Sequence, residues 1–271
     1  MRSGAGAGGR FDPSRPALEQ TLPRDCLIPA NLSPEYKAAE AAPFPFTTQF
    51  PQPGMLAWED IHFQLVDLPP LSRTHLPSWI GNALQPAEAC LLVLDLSDPL
   101  SLDELEAVQA LLAERRIHLS SHWPGEGSAP PPEDDDPFAL YLPTLLLASK
   151  ADLLPDLEQE LAVLRELSGL TLPAMAVSSE SGRGLDEIGP WLFRGLEVIR
   201  VYTKAPGRPP DRDRPFTLRR GETVFDLAVK VHRELAGGLK YARVWGQGHF
   251  DGQQVGREHP LGDGDVVELH S

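Results

Sequence analysis

The sequence predicts an α/β protein: a mostly parallel sheet with helices between its strands, followed by a small, separate α+β domain. Three observations carry this. Strand-like apolar runs alternate with helix-period segments through the first two thirds of the chain, the signature of an open sheet with right-handed crossovers. One run, "ACLLVLDL", is continuously apolar, as strands buried on both faces are. From Arg200 onward the pattern changes to short strands around a single helix.

Taken in order, residues 1–24 contain no apolar core segment and read as a disordered N-terminus rather than a signal peptide. In "LAWEDIHFQLVDLPP", Ile61, Phe63 and Leu65 fall on one strand face, and the double proline stops the strand. A short helix is compatible with the segment around Trp79. After "CLLVLDLS", Leu102, Leu105, Val108, Leu111 and Leu112 recur at helical spacing, with Ser101 as expected cap and Glu104 three residues on. Residues 120–137, rich in proline, glycine and acid, read as a surface insertion. A strand "YLPTLLLAS", a helix around "LEQELAVLRELSG", a strand "LPAMAVSS" and a helix "GLDEIGPWLFRGLEVI" complete a first domain over 25–198. In the second domain, 199–271, the helix "TVFDLAVKVHRELAGGL" takes Thr223 as cap, Phe225, Ala228, Val229, His232 and Leu235 as buried stripe, and Gly237–Gly238 as its end.

Composition narrows the function. The chain of 271 residues carries a formal net charge of -15, which argues against whole-protein nucleic-acid binding. The charge is uneven: residues 199–271 hold 12 Lys+Arg against 10 Asp+Glu, leaving 12 against 29 for the rest. Seven basic residues between Arg200 and Arg220 form either a phosphate-meeting patch or a solvated surface with Asp211 and Asp213. No apolar stretch approaches the ~20 residues of a membrane helix. Cys26 and Cys90 stand alone, so no disulfide or thiolate metal framework is suggested and a reducing cytoplasmic setting is expected.

In an α/β sheet ligands sit at the carboxyl ends of the strands. There the sequence places Asp67-Leu68-Pro69-Pro70 after one strand, Ser149-Lys150-Ala151-Asp152 after another, and Ser178-Ser179 after a third, with "PFTT" (Thr47-Thr48) upstream and "PGM" and "GRGLDEI" flanking. This ordered set resembles the G domain of the Obg and developmentally regulated GTP-binding (DRG) family over about residues 43–198. The C-terminal "IRVYTK", "KYARVWG" and "VGREHPLGDGDVVEL" resemble a TGS domain over 199–271. The resemblance implies an incomplete P-loop-GTPase-like parallel sheet followed by a ubiquitin-like β-grasp domain. It also implies guanine-nucleotide contacts at Ser149, Lys150, Asp152, Ser178 and Ser179, and magnesium contacts at Thr48 and Asp67 when GTP or GDP is bound. Through the TGS domain it implies RNA, the ribosome or a translation factor as partner, with Lys240, Tyr241, Arg243 and Trp245 as contact residues.

The sequence also departs from that family. Ser149 replaces an asparagine, Ser179 an alanine, and Pro70 a glycine whose N–H would meet the terminal phosphate, which proline cannot supply. A phosphate loop needs G-x-x-x-x-G-K-[ST], because convergent backbone N–H groups and a lysine hold the phosphates. Between Gly9 and Gly54 there is no glycine, and the only lysine before Thr47 is Lys37. Either an internal deletion removes the helices, first strand and loop together, so that a stand-in strand such as Cys26 to Ile28 must fill the sheet, or "DCLIP" and "SPEYKAAEA" serve as strand and helix with "PANL" in the loop position. Both alternatives predict a degenerate nucleotide site with weak or absent hydrolysis and no assigned catalytic residue. A non-enzymatic TGS binding module is the alternative function.

Overall fold

The computed structural model describes residues 26–32, 51–68, 79–126, 136–153, 156–169, 171–246, 248 and 250–271. Thr47, Thr48, Pro69, Pro70, "SPEYKAAEA" and much of the acidic insertion lie outside them. A seven-stranded sheet comes first, in the order β2-β3-β1-β4-β6-β5, with β7 also paired to β6. Its strands are β1 (Cys26–Leu32), β2 (Gln52–Trp58), β3 (Ile61–Asp67), β4 (Ala89–Asp95), β5 (Ile117–Ser120), β6 (Leu140–Ser149) and β7 (Ala174–Ala176). The connecting helices are α1 (Ile80–Leu84), α2 (Ser101–Ala113), α3 (Leu157–Ser168) and α4 (Leu185–Gly195).

Side-chain alternation sorts this sheet into two apolar layers. Ile61, Phe63, Leu65, Leu91, Val93, Leu145 and Leu147 face α4, whose Ile188 and Leu192 are fully buried against them. The alternate residues Cys90, Leu92, Leu94 and Leu146 face α1, α2 and α3 through Leu84, Leu112 and Leu161. β4 is buried along its whole length, as its unbroken apolar run requires.

The direction of β1 sets this sheet apart. β3, β4, β6, β5 and β7 run parallel, yet β1 pairs antiparallel with both β3 and β4, with Ala30 opposite Leu65 and Ala89. "PANL" lies inside this strand rather than in a loop. Cys26, opposite Val93, is therefore the end of β1 nearer the carboxyl ends of β3 and β4, and Leu32, opposite Phe63, is the far end.

The second sheet has the order β11-β10-β12-β8-β9, formed by β8 (Val198–Thr203), β9 (Asp211–Arg219), β10 (Tyr241–Trp245), β11 (Gln253–Val255) and β12 (Asp265–His270). β8 and β12 are parallel and the outer pairs antiparallel. One face packs on α5 (Val224–Val231) and α6 (Arg233–Gly238), burying Val201, Leu227, Ala228, Ala242 and Val244.

Three local expectations are corrected. Ser101 is the first residue of α2 rather than its cap; Leu100 holds the cap position, and the Asp98 carboxylate accepts from its N–H at 3.0 Å. The last helix of the first unit ends at Gly195, so Val198 and Ile199 belong to β8. The single helix expected after Thr223 is two, because His232 turns extended (φ -167°, ψ 131°) and caps α6 through Nδ1, accepting from the Glu234 N–H at 3.3 Å; Val229 is exposed. The Thr223 cap itself forms a reciprocal box with Asp226.

Candidate nucleotide-site edge and β-grasp face

At the carboxyl edge of the first sheet, the end of β6 is fixed by a left-handed turn. Lys150 has φ +53°, and Leu153 donates its N–H back to the Lys150 carbonyl at 2.9 Å. The loop after β7 is docked against this turn: Ala151 N–H donates to the Val177 carbonyl at 3.1 Å, Arg183 to the Ala151 carbonyl at 3.4 Å, and Ser178 N–H to the Arg183 carbonyl at 3.0 Å. Gly184 closes that loop at φ +73°, where a Cβ would meet the Ala176 carbonyl oxygen at 2.1 Å, so only glycine lets α4 start there.

These bonds bring Ser149, Lys150, Asp152, Ser178 and Ser179 to one edge. Their roles divide. The Ser149 hydroxyl donates to the Leu94 carbonyl at 3.0 Å, tying β6 to β4, and Ser178 Oγ accepts from the Ser181 N–H at 3.2 Å inside its own loop. Both are buried, whereas Asp152 and Ser179 are exposed. Asp67 closes β3 opposite Gln52, with Oδ1 buried. Since β1 intervenes, β3 and β4 lie two strand spacings, roughly 10 Å, apart, and Asp67 is level with Leu91 rather than with the end of β4. Thr48 lies outside the described residues.

The structure adds a residue that sequence reading missed. Asp95, 3% exposed at the end of β4, pairs with the Lys150 ammonium and accepts from Ser97 N–H at 3.1 Å and Ser97 Oγ at 2.5 Å. Burial alone would raise its pKa, but the bonds from Lys150 and Ser97 outweigh that and hold it below the usual carboxylate value. The lysine expected to lie along a nucleobase is thus already engaged. The signal was available: a charge ending the otherwise wholly apolar run "ACLLVLD" needs a buried counter-charge.

On the second sheet, Tyr241, Arg243 and Trp245 alternate with the buried Ala242 and Val244, so all three share the face away from α5 and α6. Lys240 is exposed just before them. Tyr241 stacks on His270 with ring centroids 4.4 Å apart, and the Lys204 ammonium sits 4.1 Å over the Trp245 ring. Glu268, 4% exposed, accepts from Lys204 at 3.1 Å and pairs with His270 at 2.7 Å. Burial raises its pKa, and these two partners more than reverse the effect, leaving it lowered.

The basic segment 200–220 resolves differently from a simple patch. Arg200 pairs with Glu59, Asp60 (3.3 Å) and Asp263 (2.8 Å), Arg219 with Glu88 (2.6 Å) and the Leu196 carbonyl, and Arg220 with Glu197 (3.8 Å). Arg212 lies 5.8 Å from the Tyr202 ring. Arg200 and Arg219, two of the seven, thereby join the two sheets to each other.

A doubly layered α/β sheet with braced loops at its carboxyl edge, followed by a β-grasp sheet, is the architecture of GTPase-like proteins with an appended ubiquitin-like domain. Comparison with known proteins is more specific. The TGS domain model matches residues 199–271, and the model described as 50S ribosome-binding GTPase matches 28–120. An uncharacterized GTP-binding protein of Methanocaldococcus jannaschii is 32% identical over 174 residues, 63% of this chain and 44% of the relative. The developmentally-regulated G-protein 3 of Arabidopsis thaliana is 29% identical, again over 44% of its length, and developmentally-regulated GTP-binding protein 1 of Xenopus laevis is 25% identical over 89% of this chain and 77% of its own. A crystal structure of a GTP binding protein from Pyrococcus horikoshii shares the fold, with TM-score 0.53 at 16% identity, covering 93% of this chain and 94% of that one. The chain is thus similar to GTP-binding proteins of the Obg/DRG type over its first part and to TGS domains over residues 199–271. It spans less than half the length of the first two of these relatives.

Proposed function

We propose that this chain keeps the base half of a guanine-nucleotide site and has a degenerate phosphate half, so that it binds GTP or GDP weakly and hydrolyses GTP slowly or not at all. The observation that carries this reading is β1: it runs against β3 and β4, so its carboxyl end lies away from the edge where a phosphate-holding loop would have to leave a central strand. The absence of G-x-x-x-x-G-K-[ST] from the sequence and Pro70 at the second switch support it. The residues present suit a purine edge better than Mg-phosphate. Asp152 is an exposed two-oxygen acceptor in a braced loop, whereas the Oδ1 of Asp67 is buried and no glycine-rich run of donors adjoins it. Magnesium would supply charge neutralisation between phosphates; the chain's own contribution is confined to orienting the base. Without preorganised donors, the transferring phosphoryl group loses its main stabilisation.

Titration of fluorescent GTP and GDP with magnesium tests this. The expected result is a Kd weaker than about 100 μM and turnover at background, equivalent to less than about 5.5 kcal/mol of binding. Micromolar affinity with measurable hydrolysis would overturn it.

A second reading, a translation-linked binding module, is favoured by the shared open face of Tyr241, Arg243 and Trp245. On it, single-stranded RNA stacks on the aromatics and the basic residues meet phosphates. RNA binding by the full chain should weaken with salt, and Lys240→Ala or Arg243→Ala should each reduce the salt slope by about 1. Salt-independent binding, or none at low salt, would remove this reading.

A further inference from the structure

The far ends of two elements that start at the nucleotide-side edge converge on one side chain. The β2–β3 hairpin is in unbroken register from Gln52 opposite Asp67 to Trp58 opposite Ile61, roughly 20 Å of ladder without a bulge. Its edge end carries Asp67, and its tip is the two-residue turn Glu59-Asp60, with Glu59 at φ +49°. α4 begins at the Ser178–Gly184 loop and runs back to the same tip. There Gly189 lets α4 close on Trp58, where a Cβ would stand 2.9 Å from the indole, and Phe193 packs on Trp58 with centroids 4.4 Å apart.

Arg200, in the first strand of the second sheet, gathers these ends. Its guanidinium pairs with Glu59 and Asp60 at the hairpin tip and lies 5.5 Å from the Trp58 ring and 5.1 Å from the Phe193 ring of α4. Nε and Nη2 are held within its own domain by Asp263 at 3.0 and 2.8 Å. Tyr202, two residues on and on the same sheet face, donates its hydroxyl to Asp60 at 2.5 Å.

We infer that Arg200 is a coupling residue, through which the state of the nucleotide-side edge, carried by the β2–β3 hairpin and α4, is felt by the β-grasp sheet. The mechanism needs a stiff lever, supplied by the bulge-free ladder, and a clamp with contacts on both sides, supplied by the guanidinium. By linkage, whatever alters the edge alters the clamp by the same factor, and the reverse. The coupling takes its regulatory meaning from the nucleotide reading above, but its physical content is separable from that reading.

Hydrogen exchange in the full chain tests it without a ligand. In Arg200→Ala, the backbone amides at the edge end of the hairpin, Gln52, Gly54, Met55 and 64–67, should exchange at least about fivefold faster, as should those of 178–184. Asp60→Asn should act in the same direction, and Arg220→Ala, which removes the Glu197 pair and only a weak charge interaction with Asp263, should change these amides less than about twofold. Acceleration confined to 58–61 and 198–203 in Arg200→Ala would overturn the inference. A companion titration with fluorescent GDP separates the two proposals. Binding in the parent chain with an unchanged Kd in Arg200→Ala overturns the coupling, a Kd shifted at least about threefold supports it. Tight binding with turnover in the parent chain defeats the degenerate-site reading while the exchange data still decide the coupling.

Discussion

The two sheets of this chain differ at their centres. In the second, β8 and β12 run parallel, and Glu268, the buried carboxylate of β12, has Lys204 and His270 as partners. In the first, β1 fills the middle in reverse, holds three pairs with β3 and five with β4, and carries Pro29, which has no N–H for a ladder. The difference teaches that burial and direction are separate requirements. A strand of either direction fills the gap between β3 and β4, but only one direction delivers its carboxyl end to the ligand edge.

The largest test of this contrast is the core beside β1. Phe63, fully buried on β3, should cost about 3–5 kcal/mol when replaced by alanine, read by denaturant unfolding. A loss below about 1 kcal/mol would mean that the reversed strand leaves the first sheet too loosely packed to feel the cavity.

Next comes the junction. Arg200→Ala should cost on the order of 2 kcal/mol, below the full value of a buried pair because Glu59 is largely exposed. A double-mutant cycle with Asp60→Asn should give a positive coupling; additive losses would show that the two sheets are merely adjacent.

The acid limb of stability separates the edges more finely. Asp95 and Asp263 are both held below 3.8, against the pull of burial, by Lys150 and Ser97 and by Arg200 respectively. The folded state therefore binds fewer protons than the unfolded chain, so this stability is present above about pH 4 and is lost as pH falls through the lowered values. Asp95→Asn should flatten the fall in Tm between pH 5 and 3, at a neutral-pH cost of about 1 kcal/mol. On the alkaline side, burial and the bond to Asp60 push Tyr202 up to about 12, so its contribution persists to pH 10 and goes as pH approaches that value.

The smallest expected effect points the other way. Pro29→Val should stabilise the protein by about 0.5–1 kcal/mol, by restoring a ladder N–H opposite Cys90. A destabilisation would show that the imide is needed in the reversed strand.

Much of this was legible in the sequence. The alternation of Ile61, Phe63 and Leu65 and the unbroken run through Val93 gave strand and face because burial imposes a period on side chains. The direction of β1 was not legible, since a period of two reads the same both ways. The break at His232 escaped because Ala228, Val229 and His232 mimic a helical stripe, whereas the helix that ends at Val231 buries Val224, Leu227 and Ala228 and leaves Val229 exposed. Of the site, the strand exits were readable from motif order. The Asp95–Lys150 and Arg200–Glu59 pairs were not, because their partners lie 55 and 141 positions apart and no local pattern links them.

Trp123 and Trp191 stand edge to face with centroids 6.1 Å apart beneath the first sheet, whereas Trp245 lies alone under an ammonium on the second. Two indoles so close couple their electronic transitions, and a single indole beside a cation does not. Circular dichroism should therefore carry a paired-band signature that follows the first sheet, and the emission lost in Trp245→Phe is the part that follows the second, since the other four tryptophans all precede residue 192.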